Sequence, residues 1–197
     1  MNFLLFLLLI IIFLIYFYKP KYNPEYKIIY KNPKYKPTNF MIVAHPDDEI
    51  LWGFNYLKNK PYLWKVICLT CATNKTRVKE FETTMKNLGI QNYEIWDHDN
   101  SIFAKKLNNQ ALNDIKNDIF KNHYHLIITH NKYGEYGNLQ HISLHNALSK
   151  LKKHYNLPIK FFEPNKFKYY PEKNMLLNNY KSQKLIINCM TPFQVFY

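Results

Sequence analysis

Phe40-Met41-Ile42-Val43-Ala44-His45-Pro46-Asp47-Asp48-Glu49 begins as a short apolar run and ends in one imidazole and three carboxylates. An unbroken run of that length, Phe40–Ala44, reads as a strand covered on both faces, and a helix over 48–59 follows it. Working outward, Trp64–Leu69, Tyr93–Trp96 and His125–Thr129 are three further apolar strands. Helices fall between and after them. Thr76–Leu88 carries Val78, Phe81, Met85 and Leu88 at helical spacing, with Gly89 as its stop. Leu107–Asn122 carries the stripe Leu112, Ile115 and Ile119, and Gln140–His154 completes the series. Repeated βα units predict an α/β fold, a mostly parallel sheet with helices on both faces. Such sheets bind ligands outside the carboxyl ends of their strands. Beyond Pro158 the pattern predicts a helix over Glu172–Gln183 and a short strand at Leu185–Ile187.

Two loops at that edge carry the chemistry. In the first, neutral imidazole and carboxylate oxygens suit zinc. His45 and Asp48, three residues apart across a strand-to-helix turn, can face one ion with Asp47 beside it. A Pro-containing turn that opens an acidic helix N-terminus explains the same carboxylates through the helix dipole. The second loop runs from Thr129 through His130, Tyr133, Gly134, Tyr136, Gly137, Asn138 and Gln140 to His141, and on to His145. His141 and His145 are i and i+4, one helix face that could share a metal or hold two unrelated surface histidines.

Composition narrows the class. The 197 residues allow one domain of ordinary size, and 47% hydrophobic residues can fill its core. Three cysteines make no disulfide framework and point to a reducing compartment. Cys68 and Cys71 form a C-x-x-C with no second pair, so a zinc knuckle is not expected. Neither GxGxxG nor GxxxxGK[ST] occurs. The formal charge of +13 comes almost wholly from lysine in a chain also rich in Asn, Ile, Tyr and Phe. AT-rich coding produces that composition, no nucleic-acid motif accompanies it, and no nucleic-acid partner is expected.

Phe3–Tyr18 is apolar throughout, and as a helix it would span about 24 Å against a hydrocarbon core of about 30 Å. Tyr16 and Tyr18 suit the headgroup layer, and Lys19 and Lys21 can snorkel. A cleaved signal peptide would need a basic leader and a small-residue cleavage site, and neither is present. Residues 1–20 therefore read as a membrane anchor, 21–38 as a basic Pro/Lys/Tyr linker along anionic headgroups, and 39–197 as the folded domain. Lys19, Lys21, Lys27, Lys31, Lys34 and Lys36 against Glu25 alone place that domain in the cytosol.

The two loops together resemble the PIG-L/LmbE-like family of zinc-dependent de-N-acetylases over roughly residues 39–183. Ala44–Glu49 matches the family's AHPDDE signature. Thr76–Phe81 with Leu88-Gly89-Ile90 is similar to its R-x-x-E-L…L-G-[IV] helix, and Asp97-His98-Asp99 falls at its short acidic stretch. Tyr136–His141 resembles its Y-G-H-x-x-H region, and Tyr180–Gln183 its late [YH]-x-S-Q element. The resemblance implies a Rossmann-like fold preceded here by the N-terminal membrane helix. It implies zinc, or another divalent metal, on His45, Asp48 and His141. Asp47 would be the general base, Tyr136 an oxyanion support, and Arg77 and Asn138 substrate-side residues.

The implied substrate is an N-acetylated amino sugar. With the anchor it is similar to N-acetylglucosaminyl-phosphatidylinositol, deacetylated on the cytosolic face of the endoplasmic reticulum in GPI-anchor synthesis. A soluble or nucleotide-linked amino sugar is the alternative, and a glycan-binding pseudoenzyme is another. Asn138 is the one departure, standing where the family has the first His of its H-x-x-H element. An amide cannot deliver a proton to the leaving amine. Three outcomes follow: Asp47 serves as both base and acid, His145 or His130 substitutes, or the enzyme is slow or inactive.

Overall fold

The structure is a computed structural model that describes residues 7, 23–99, 107–163 and 170–195. The strands are β1 (Lys27–Lys31), β2 (Asn39–Val43), β3 (Trp64–Thr70), β4 (Asn92–His98), β5 (Leu126–Thr129) and β6 (Ile159–Phe161). The helices are α1 (Asp48–Leu51), α2 (Phe54–Leu57), α3 (Lys75–Leu88), α4 (Asn109–Asn122), α5 (Gly134–Gly137), α6 (Leu139–Tyr155), α7 (Pro171–Leu177) and α8 (Lys184–Val195). One sheet holds all six strands in the order β1-β4-β3-β2-β5-β6. The five from β4 to β6 are parallel, and β1 pairs antiparallel with β4.

Strand β2 shows why both faces are covered. Phe40 and Ile42 turn to one face and pack with Ile115, Ile119, Leu144 and Leu148 of α4 and α6. Met41 and Val43 turn to the other and pack with Phe81 and Met85 of α3 and Leu176 of α7. Each such side chain contributes about 1.5–3 kcal/mol when fully buried, so the two stripes hold α3, α4, α6 and α7 against the sheet. The caps agree with the stripes. Asn74 accepts the N–H groups of Thr76 and Arg77 at the start of α3, and Gly89 closes it at φ 85°.

The chain builds β2, β3 and β4 to one side, then crosses back to build β5 and β6 on the other. The strand order reverses between β2 and β5, and this switch point is where an open α/β sheet leaves a crevice. Both chemistry-bearing loops leave the carboxyl ends of these two strands.

Four expectations are corrected. First, the stretch read as linker contributes an edge strand. Ile28 of β1 packs on the core, Tyr30 stacks on Tyr93 at 4.9 Å, and Lys27 pairs with Asp114 at 2.6 Å. Lysines at both ends of β1 suit a sheet edge, so their charge has a reason other than lipid. Second, the helix over 48–59 is two short helices broken at Trp52-Gly53. Third, α7 ends at Leu177 and a 3-10 turn, Lys181–Gln183, replaces the rest of the predicted helix. Fourth, Leu185–Ile187 lies in helix α8, because three apolar residues carry no period to distinguish strand from helix. The Phe3–Tyr18 run lies outside the described residues. Among those described, no helix is long and apolar enough to cross a membrane.

Gly53 is set by close approach. A Cβ there would lie 2.6 Å from the Met41 thioether and 2.7 Å from the Glu49 carbonyl oxygen. Gly53→Ala is expected to cost about 1–3 kcal/mol of stability, the range for an overpacked core, as a lower urea midpoint at unchanged slope. An unchanged midpoint would show that this contact is not tight.

Candidate metal centre and its cleft

The loop after β2 is pinned from several sides. Thr70 Oγ1 donates to the Ala44 carbonyl at 2.9 Å, and the Ala44 N–H donates to His130 Nε2 at 3.1 Å. Asp47 then takes φ 123°, a conformation strained for any residue with a side chain. Its N–H donates to Glu49 Oε2 at 3.0 Å. Arg77 Nη2 donates to the Pro46 carbonyl and, at 3.4 Å, to Asp47 Oδ2. Glu80 accepts from Arg77 and also from the Ser182 N–H and hydroxyl, at 2.8 and 2.7 Å. Tyr180 donates its hydroxyl to Glu49. The late Tyr180–Gln183 element thus braces the turn that carries Asp47.

The loop after β5 is built for one carboxylate. Gly134 and Gly137 have φ of 61° and 91°, and between them Glu135 is forced to φ 59°. That backbone sends the Glu135 side chain inward. Its Oε2 accepts from His130 Nδ1 at 2.7 Å and His141 Nδ1 at 2.6 Å, and its Oε1 accepts the Asn131 N–H at 2.9 Å. Asn138 starts α6, accepting the N–H groups of Gln140 and His141 on Oδ1 at 2.9 and 3.3 Å. Its Nδ2 donates to the Tyr136 oxygen at 3.0 Å.

These supports fix two tautomers. His141 gives its Nδ1–H to Glu135, which leaves Nε2 as a lone-pair atom. His45 gives its Nε2–H to Gln140 Oε1, which leaves Nδ1. The two free nitrogens are 3.2 Å apart. Asp48 Oδ2 stands 3.3 Å from His45 Nδ1 and 3.2 Å from His141 Nε2. Three electron-pair donors therefore form a near-equilateral triangle, with both imidazole protons committed elsewhere. A tetrahedral ion with bonds of about 2.0–2.1 Å has ligand–ligand edges of about 3.3 Å, so the residues fit zinc. A second cluster, His130, Glu135 and His141, shares His141, but its contacts are the N–H donations to Glu135.

The electrostatics follow from burial and partners. Burial opposes ionisation of Asp48, yet His141 and His130 hold it well below the usual carboxylate range. Burial likewise opposes ionisation of Glu135, and His130 and His141 bring it down to about 2. Asp47 goes the other way. Burial first, then the Asp48 carboxylate, push it up to about 8, while Arg77 opposes the shift. A divalent cation beside it would oppose the shift as well. Burial and the nearby Asp48 raise the Tyr136 phenol to about 12, so it remains a donor.

A cleft of about 530 Å3 opens over this cluster. Of the residues singled out in the sequence, His45, Asp47, Asp48, Arg77, Tyr136 and Asn138 line it. His141 is fully buried beneath, the third corner of the triangle. Arg77 is largely committed to the protein through Pro46, Asp47 and Glu80. His145 does not join: it bonds the His130 carbonyl oxygen at 3.0 Å and Ser149 at 3.1 Å, with its ring against Phe161. The i, i+4 pair is therefore not a shared metal site. Cys68 is buried in the core, and Cys71 lines the cleft.

Glu135 and Gln140, which aim the two histidines, were not read from the sequence. A carboxylate between two glycines, and an amide next to His141, were the available signals.

Fold and site together define an α/β protein with a candidate metal centre at the switch point of a doubly wound sheet. The chain belongs to the PIG-L family, described as GlcNAc-PI de-N-acetylase, which it matches over residues 40–152. An uncharacterized protein of Acanthamoeba polyphaga mimivirus is 33% identical over 175 residues, 80% of this chain and 72% of that one. Among solved structures, a deacetylase of teicoplanin biosynthesis superposes with TM-score 0.58 at 16% identity, covering 77% of this chain and 87% of its own. The 4-carboxy-2-hydroxymuconate hydratase GalB of Pseudomonas putida superposes with TM-score 0.57 at 12% identity, covering 79% and 83%. A deacetylase and a hydratase at equal likeness mean that these superpositions speak for the fold and leave the reaction to the site.

Asn138→Ala should cost about 0.5–2 kcal/mol, the usual value of a lost N-cap, and Asn138→Asp should restore most of it. Equal stability of the two variants in urea titration would refute the capping role.

Proposed function

We propose that this chain is a zinc-dependent hydrolase that removes the acetyl group from an N-acetylglucosamine-type sugar. The observation that carries the reading is the His45–Asp48–His141 triangle beside Asp47 at the floor of the cleft, in a chain of this family. His45, Asp48 and His141 would hold the zinc, which would supply Lewis acidity to activate water and to polarise an amide carbonyl.

The chain's own residues do the rest. Asp47 takes a proton from the attacking water on a carboxylate oxygen. It then delivers that proton to the departing nitrogen, because an unprotonated amide nitrogen is too basic to leave. Tyr136 donates its hydroxyl proton towards the carbonyl oxygen as charge builds there. Asn138, bonded to the phenol oxygen through Nδ2, leaves that proton free for the substrate. Arg77 holds the Asp47 turn and lends positive charge to the cleft wall. The products are acetate and a free amino sugar.

In this reading residues 1–20 anchor the enzyme to a membrane, that of the endoplasmic reticulum in a eukaryotic cell, with the catalytic domain in the cytosol. The sugar is then carried on a lipid, as in N-acetylglucosaminyl-phosphatidylinositol. The apolar run and Lys19 and Lys21, which directly follow it, support this placement.

Amine release from a panel of soluble, nucleotide-linked and lipid-linked N-acetylglucosamine conjugates tests the reading. No release from any of them by zinc-loaded protein would favour a glycan-binding module instead. His45→Ala and His141→Ala should each lose the metal on dialysis, as read by elemental analysis. Glu135→Gln should weaken zinc affinity about 10–100-fold, the usual value of a residue that orients a ligand. Asp47→Asn should keep its zinc and lose about 10²–10⁴-fold in kcat/KM. Near-wild-type turnover of Asp47→Asn at full zinc occupancy would overturn the mechanism.

A further inference from the structure

The fold carries its chain into the domain at the catalytic edge of the sheet. Strand β1 runs antiparallel to β4, with Lys27 opposite Trp96 and Lys31 opposite Asn92. The chain therefore arrives at the carboxyl end of β4 and is carried away from it along β1. Asn23 is tied to that end, its N–H donating to Asp97 Oδ2 at 2.7 Å. Asp97 Oδ1 accepts in turn from the Thr73 N–H at 3.1 Å and the Thr73 hydroxyl at 2.8 Å. Thr73 precedes Asn74, which lines the catalytic cleft. The point of arrival is thus two strands from β2, about 10 Å along the sheet from the metal-ligand loop.

The apolar run ends at Tyr18, five residues before Asn23. Fully extended, five residues reach at most about 18 Å. A domain of this size is about 40 Å across, so this tether cannot set the opposite edge of the sheet on the surface that holds the run.

Part of the rim of the cleft is apolar, beside the polar Asn74, Asn138 and Gln183, and it sits on the same edge. Tyr136, Leu139 and Ile186 line the mouth and are each nearly half exposed, at 44%, 47% and 46%. Close to them in the sequence, Tyr133 and Leu185 are 62% and 79% exposed. Lys132, Lys181 and Lys184 flank these side chains in the sequence. Tyrosine, leucine and isoleucine bordered by lysine are the residues of an interfacial surface. In contrast, Lys31, Lys34 and Lys36 are carried by β1 to the far edge of the sheet, so they do not lie along headgroups next to the run.

We infer that the rim of Tyr133, Tyr136, Leu139, Leu185 and Ile186 docks on the bilayer that holds residues 1–20, so that the catalytic cleft opens towards the headgroup layer. This rests on the anchor reading of residues 1–20, and it adds the orientation of the domain.

The test uses the full chain in vesicles of phosphatidylcholine with a minority of phosphatidylserine. Single cysteines at Leu139→Cys, Leu185→Cys and Tyr62→Cys carry an environment-sensitive probe, in a Cys71→Ser, Cys189→Ser background with Cys68 buried. Tyr62 is exposed and precedes β3, on the edge opposite the cleft. Headgroup-borne quenchers should quench the Leu139 and Leu185 probes at least about twofold more than the Tyr62 probe, since interfacial side chains sit about 5–10 Å into that boundary. Flotation of the chain with equal quenching at all three positions overturns the docking and leaves the anchor standing. Failure to float overturns the anchor and the docking together. Amine release from a soluble conjugate, measured separately, is unaffected by either result and judges the hydrolase reading alone.

Discussion

Three donor atoms, His45 Nδ1, His141 Nε2 and Asp48 Oδ2, held 3.2–3.3 Å apart are the constraint around which this fold is arranged. Such a triangle is stabilised by positive charge at its centre. It persists because each corner is held from behind. Gln140 takes the spare N–H of His45, Glu135 takes that of His141, and the His45 backbone N–H donates to Asp48 Oδ2 at 2.8 Å. The supports come from loops after β2 and β5, neighbours in the sheet but far apart in the chain. Their parallel pairing, Asn39 with Leu126 through Met41 with Ile128, sets the distance between the ligand sets. The centre is therefore a property of the sheet register as much as of the loops.

The supports strain the backbone at two places. Asp47 at φ 123° and Glu135 at φ 59° are non-glycine residues in conformations that cost about 1–3 kcal/mol each. Each strained residue aims one carboxylate and is held by buried hydrogen bonds. Glu49 and Arg77 hold Asp47, while the Asn131 side chain accepts the Glu135 N–H at 3.3 Å. The late element extends the first of these networks, because Tyr180 reaches Glu49 and Ser182 reaches Glu80. A segment distant in sequence thereby braces the floor of the cleft through Glu49 and Glu80.

Much of this was legible in the sequence, and the rest was not for physical reasons. Period and caps gave the central strands and α3, α4 and α6, because each buries a full stripe. The AHPDDE cluster and the Gly-hinged His loop marked the residues of the candidate metal centre. Strand β1 was hidden because its two lysines and Tyr30 look like linker until a partner strand exists for Tyr30 to stack on. The need for glycine at position 53 comes from Met41, a contact across the core. Glu135 and Gln140 were missed because their role comes from which imidazole nitrogen they face, and tautomers have no sequence signature. His145, at the right spacing for a shared metal, fails because its ring is drawn instead to Phe161 and Ser149.

Asn138 shows how one substitution redistributes work across such a site. At this position a histidine could offer a titrating proton but a poorer helix cap, whereas asparagine is among the best N-caps. Here the amide oxygen holds the turn that carries His141, and the amide N–H orients Tyr136. The remaining histidines do not fill the vacant role of acid. His130 is fully buried, with Nδ1 on Glu135 and Nε2 on the Ala44 N–H, and His145 is turned into α6. Among the described residues that line the cleft, Asp47 is the carboxyl that is not a corner of the triangle, and Arg77 pairs with it at 3.4 Å. In the proposed mechanism Asp47 moves both protons, and the strained turn with its brace of Glu49, Arg77 and Tyr180 holds that carboxyl at the cleft.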